Sequence, residues 1–130
     1  TENGGFAFKC VDIRDLNPTH LGNVKGIDNI RTYADRYVNA IHTIDLPMVD
    51  AALVDGRFRA ACALKLLNHL DENGVLIMHD FWLRPEYHVV LNYYIVIGHS
   101  RSVAVFRMKP IHERPVDWPH AWKRYLEIQL

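Results

Sequence analysis

Two short apolar runs, each stopped by an acid, constrain this chain more than any other feature: Asp50 to Asp55 (DAALVD) and Val75 to Asp80 (VLIMHD). Between them Ala60, Ala63, Leu64, Leu67 and Leu70 recur at three- and four-residue steps, the stripe of a helix that buries one side. Asp71-Glu72-Asn73-Gly74 then supplies a chain reversal, with Asn and Gly able to take the left-handed conformation that ends helices. A continuous apolar run suits a strand buried on both faces. Parallel neighbours need a crossover, so strand, helix and strand in this order point to a parallel sheet.

The flanks extend the pattern. Phe6 to Ile13 (FAFKCVDI) reads as an earlier strand, and Leu16 to Gly26, with Pro18, Gly22 and Gly26, as a loop. Ile30, Tyr33, Ala34, Tyr37, Ile41 and Ile44 line one face of a helix that Asp28 caps and Pro47 ends. Pro85 opens a further helix, with Glu86 near its positive end and Val89, Val90, Tyr93 and Tyr94 facing inward. Ile95 to Gly98 and Ser102 to Met108 form a hairpin at the end of the sheet. After Pro110 the chain becomes an aromatic tail, 111–130, with a short helix from Ala121 to Ile128; Trp118, Trp122 and Tyr125 pack it back on the body or on another chain. The expected architecture is α/β: a Rossmann-like, mostly parallel sheet with helices on both faces and a C-terminal β-hairpin, occupying residues 1–110.

Composition excludes several function classes. Fifteen Lys plus Arg balance fifteen Asp plus Glu over 130 residues, so there is no basic field to hold a nucleic-acid backbone. No apolar run approaches the roughly 18 residues a membrane span needs. Cys10 and Cys62 sit among apolar neighbours as small buried thiols, which suits a reducing, cytoplasmic compartment. The eight histidines lack H-x-x-x-H spacing, which argues against a helical zinc site.

In open parallel sheets ligands bind beyond the carboxyl ends of the strands, where Asp12, Asp55 and Asp80 stand. Each acid has two readings: a ligand-facing group, or a helix cap paired with a nearby arginine. Arg57, Arg59 and Arg84 open the two following helices and carry the same duality: a bidentate grip on an anionic substrate group, or pairing with Asp55, Asp80 and Glu86. His88 reads as a general base or as a packed helix histidine.

The segment VDGRFRAACALKLLNHLDENGVLIMHDFWLRPEYHVV, Val54 to Val90, resembles the fourth strand, helix, fifth strand and next helix of class I S-adenosylmethionine-dependent methyltransferases. More narrowly it is similar to a group of methyltransferase-like proteins sharing its VDGRFRAACAL and RPEYHVV segments, and SVAVFRMKP suits that group's last strand. The resemblance implies methyl transfer to a hydroxyl of a small molecule or sugar. It makes Asp55 and Asp80 candidate ligands of a divalent metal such as Mg²⁺. His79 becomes a candidate base, and Asp12 a candidate cofactor contact.

The family's first strand, with its glycine-rich loop, would precede Phe6. The chain is therefore expected to be the C-terminal part of such a fold, completed by further chain, another polypeptide or a second copy. Pairing of Phe6–Ile13 directly with Asp50–Asp55 is the alternative. Two other functions compete: a non-catalytic scaffold on the same frame, and a sugar- or nucleotide-modifying enzyme using the arginine cluster.

Overall fold

The two acid-stopped runs pair side by side as parallel strands, β1 (Val49–Val54) and β2 (Leu70–Met78), joined by helix α2 (Arg59–Lys65). This computed structural model describes residues 30–43 and 48–126. The expectations for Phe6–Ile13, the 16–26 loop, Asp12, Cys10, Asp28, Ile44, Pro47 and the last residues of the tail helix lie outside that range. Helix α1 (Ile30–Val38) precedes β1, and strands β3 (Tyr94–His99) and β4 (Ala104–Met108) follow β2.

The hairpin does not simply extend a parallel sheet. β4 runs antiparallel between β2 and β3, giving the order β1-β2-β4-β3. β1, β2 and β3 therefore point the same way, but the sheet is mixed rather than mostly parallel. Ser100 N–H donates to the Val103 carbonyl at 2.9 Å to close the turn.

Residues paired across a sheet share a face. Ala52, Leu76, Phe106 and Val96 form one register row; Leu76 and Phe106 are fully buried, and the other two pack on the core. The next row, Leu53, Ile77 and Val105, lies on the opposite face, where Leu53 is 66% exposed. Ile95 and Ile97 are also exposed on β3. Among the described residues the helices cover one face of the sheet. The apolar run of β1 is one-sided for the same reason.

On the covered face, α2 packs against α1, a 3-10 helix at Pro85–Asn92 and another at Ala121–Tyr125. The Pro85 segment was expected to be α-helical. Its fully or almost fully buried residues, Tyr87, Val90 and Tyr93, are three apart, and a three-residue period is what a 3-10 helix presents on one side. The bonds Tyr87 N–H to Arg84 O and Tyr93 N–H to Val90 O follow that period, at 3.0 Å each. The helix expected over Ala60–Leu70 also tightens to 3-10 over Leu66–Asn68 and gives way to β2.

Asp71–Gly74 lies inside β2 rather than forming a reversal: the register moves from Val49↔Leu70 to Ala51↔Val75, so three extra residues bulge from β2. Asp71 Oδ1 accepts from Asn73 N–H at 3.1 Å within the bulge. A Cβ on Gly74 would come within 2.9 Å of the Asp71 carbonyl, so the close approach requires glycine.

The tail packs back on the body. Ala121, Trp122 and Leu126 are buried, and the buried Lys65 places its ammonium 4.2 Å from the centre of the Trp122 ring. Tyr93 Oη donates to Asp117 at 3.2 Å, and Arg124 pairs with Asp117. Across the sheet, Tyr94 Oη donates to the Ala63 carbonyl at 2.6 Å and ties β3 to α2. Deleting this buried hydroxyl in Tyr94→Phe is expected to lower unfolding free energy by about 1–2 kcal/mol in denaturant titrations.

Burial, as the main cause, raises the phenol pKa of Tyr33, Tyr37, Tyr87, Tyr93 and Tyr94 above the ordinary value of 10.0. A raised folded-state pKa means that the unfolded chain loses its proton first, so stability is intact below 10.0 and falls as pH climbs through the folded values. Circular dichroism and tyrosinate absorbance are expected to change together, as one cooperative alkaline transition beginning above 10.0.

Candidate functional site

The carboxyl ends of β1 and β2 lie beside each other because the strands are parallel neighbours with Val54 opposite Met78. The residues that follow, Asp55 and His79-Asp80, are therefore brought together from positions far apart in sequence. His79 N–H donates to the Val54 carbonyl at 3.3 Å, continuing the ladder past the last paired residues.

Both turns leaving the strands are strained. Asp80 has φ 56° and Phe58 has φ 53°, the left-handed region, which ordinarily costs a non-glycine residue roughly 1–3 kcal/mol. Phe58 is held there by its buried ring, which meets Tyr33 and Tyr37 edge-on at 5.4 and 5.7 Å. Tyr37 Oη accepts from Arg57 N–H at 3.3 Å and lies so close to Gly56 that any Cβ there would collide with it. Gly56 thus admits the tyrosine that braces the first turn.

Arg59 joins the two turns. From the first turn of α2 its Nε donates to the Gly56 carbonyl at 3.0 Å and its Nη1 to the His79 carbonyl at 2.9 Å. The same guanidinium lies 3.4 Å from Asp55 Oδ1 and 3.7 Å from Asp80 Oδ2, and 5.6 Å from the centre of the Tyr87 ring. Its side chain is 11% exposed, whereas the two carboxylates remain partly open to solvent. The two carbonyls fix the fork, and the charge then neutralises part of the acid pair.

His79 completes the cluster. Its Nδ1 is buried, 3.2 Å from Asp80 Oδ2 and 3.5 Å from Asp55 Oδ1, while the side chain as a whole is 44% exposed. Nδ1 makes no hydrogen bond to either carboxylate, so the two acids act on the ring through their charge.

Of the other expected site residues, Arg57 lines one cleft with Asp55, and Arg84 acts on Tyr87, the ring against which Arg59 stands. Arg57 lies beside Tyr33 and Tyr37, and its charge lowers both phenols against the larger effect of burial. Arg84 acts on Tyr87 in the same sense. His88 stacks on Phe81 at 5.0 Å and places Nε2 3.2 Å from the Phe81 carbonyl, an acceptor, so this nitrogen carries the proton. The ring is held as a packed helix histidine. Asp12 lies outside the described residues. Tyr37 emerges as a site residue that sequence reasoning assigned only to a helix stripe; its signal was Gly56 directly after the strand-ending acid.

A cleft of about 640 Å³ opens along β1 to Asp55, lined by Tyr37, Val54, Gly56, Arg57 and Cys62 among others. Its volume falls within the roughly 300–1,000 Å³ of small-molecule sites, and its wall is mostly apolar. A divalent cation fits less well. Asp55 and Asp80 are hard oxygen donors of the right type, but Arg59 already stands against both, and among the described residues no three His, Cys, Asp or Glu side chains, the group of Asp55, His79 and Asp80 included, are arranged to hold a metal ion. No helix among them is long and apolar enough to cross a membrane.

No family model matches the chain, and no curated protein does. Among solved structures the fold is similar to that of a methyltransferase-like protein from Silicibacter pomeroyi DSS-3, with a TM-score of 0.67 and 24% identity. The likeness covers 88% of this chain and 59% of that one, so the chain spans less than two thirds of its neighbour. The chain therefore has a methyltransferase-like α/β fold.

Burial pushes the Cys62 thiol up to about 12, so at neutral pH it stays protonated and unreactive although it borders the cleft. Iodoacetamide at pH 8 is expected to leave Cys62 unmodified in the native protein and to alkylate it in guanidinium, as read by peptide mass spectrometry.

Proposed function

We propose that the chain carries the acceptor side of an S-adenosylmethionine-dependent methyltransferase, with His79 as the base that takes the proton of a small-molecule or sugar hydroxyl. The observation that supports this most is the convergence of Asp55, His79 and Asp80 beyond adjacent parallel strand ends, in a fold similar to a methyltransferase-like protein. The bound cofactor supplies an electrophilic methyl group on a sulfonium.

The chain's own residues prepare the acceptor. With Nδ1 turned to the acids, Nε2 is the nitrogen left to accept a proton. His79 Nε2 would take the hydroxyl proton as the acceptor oxygen is methylated, and bound S-adenosylmethionine would supply the methyl group and keep the electron pair of the carbon–sulfur bond. Asp55 and Asp80 stabilise the imidazolium that results, as carboxylates do beside a catalytic histidine. Arg59 holds both acids and both turns in register. Asp55, Gly56 and the cleft wall along β1 are the surfaces nearest the cofactor in this reading; the groups that hold its methionine part belong to chain preceding β1 or to a partner.

A second reading, a scaffold completed by another polypeptide, has its own support in the open apolar face bearing Leu53, Ile95 and Ile97, since exposed patches of this kind mark interaction surfaces. Transfer of labelled methyl from S-adenosylmethionine by the full-length protein, screened over hydroxylated small molecules and sugars, separates the two. Methyl transfer that His79→Ala reduces by about 10²–10⁴-fold, with acceptor KM nearly unchanged, supports the enzyme. Absence of transfer to every acceptor, with a stable complex to a second polypeptide through the open face, favours the scaffold.

A further inference from the structure

Resting on the methyl-transfer reading, we infer that Arg59 takes the place that a divalent metal would hold between Asp55 and Asp80, so that this site works with a built-in cation. The argument begins with geometry. Two carboxylates delivered by adjacent strand ends need a positive charge if they are to remain close and ionised, because like charges in a partly desolvated site disfavour one another. Arg59 supplies that charge at 3.4 and 3.7 Å.

It is also difficult to displace. Nε and Nη1 are committed to the Gly56 and His79 carbonyls at 3.0 and 2.9 Å, and the side chain is almost fully buried. A metal entering between the acids would face the guanidinium charge at short range, or would have to break both carbonyl bonds and leave those acceptors unpaired. A guanidinium cannot act as a metal does, by taking an acceptor oxygen into its coordination shell. It can only orient and neutralise the acids, so the proton must go to a side chain, and His79 lies against the same two oxygens. Arg59 is thus a positioning residue acting through Asp55 and Asp80.

The test uses Mn²⁺ as the probe in the full-length chain, followed by calorimetry and by paramagnetic broadening of the His79 imidazole signals. The native protein is expected to show no saturable binding at millimolar Mn²⁺. Arg59→Gln, which removes the charge and keeps polar contacts, is expected to gain Mn²⁺ affinity by about tenfold or more, and the further change Asp55→Asn to abolish the gain. Saturable binding by the native protein that Asp80→Asn removes would overturn the inference, as would a folded Arg59→Gln with no gain.

If Arg59→Gln does not fold, the Arg59 Nε–H resonance of the native protein decides. The resonance is expected to stay in place as Mg²⁺ is added and to shift in Asp80→Asn; movement with Mg²⁺ would show the guanidinium being displaced. These readouts need no turnover, so they stand apart from failure of the methyl-transfer reading. If transfer is found, it is expected to persist in EDTA, and its loss there would overturn the inference.

Discussion

Parallel strands that end together bring their terminal groups together, and in this chain those groups are acids that would repel one another without a cation between them. The Arg59 guanidinium meets that constraint, binding the Gly56 and His79 carbonyls and standing against Asp55 and Asp80. Much of the site follows from it. The turn after β1 must bend sharply enough to send α2 back over the sheet with Arg59 in its first turn, and Phe58 accepts a left-handed backbone to do so. The turn after β2 bends likewise at Asp80, a residue type that tolerates this conformation better than most.

The same strand order accounts for the shape of the covered core. β4 returns antiparallel between β2 and β3, so its alternate residues Ala104 and Phe106 reach the face that α2 covers. Tyr94 on β3 then meets the Ala63 carbonyl on α2, and the tail closes over α2 with Trp122. The opposite face keeps Leu53, Ile95 and Ile97 exposed.

Strong one-dimensional signals in the sequence made part of this legible. Apolar runs stopped by acids located β1 and the second half of β2, and the Pro110–Trp122 region announced a tail that folds back. Other features depend on contacts that a single sequence does not display. Asp71–Gly74 has turn chemistry, and it does turn, but as a bulge held in β2 by pairing with β1. Pro85–Asn92 carries helix-compatible residues, yet the three-residue spacing of Tyr87, Val90 and Tyr93 favours the tighter helix. Of the three arginines grouped by sequence, Arg59 alone joins the acids, because the helix start turns it between the strands while Arg57 lies beside the tyrosines. Alternation could not reveal that one face of β1 is open, since an apolar run looks the same whether or not its second cover is present.

The claim that the cluster of Asp55, His79 and Asp80 serves an S-adenosylmethionine site is tested most directly by calorimetric titration of S-adenosylhomocysteine into the full-length protein, with and without Mg²⁺. The account predicts saturable binding that Mg²⁺ leaves unchanged and that perturbs the Gly56 and His79 amide signals. Failure of the full-length protein to bind, or binding that depends on Mg²⁺, would contradict it.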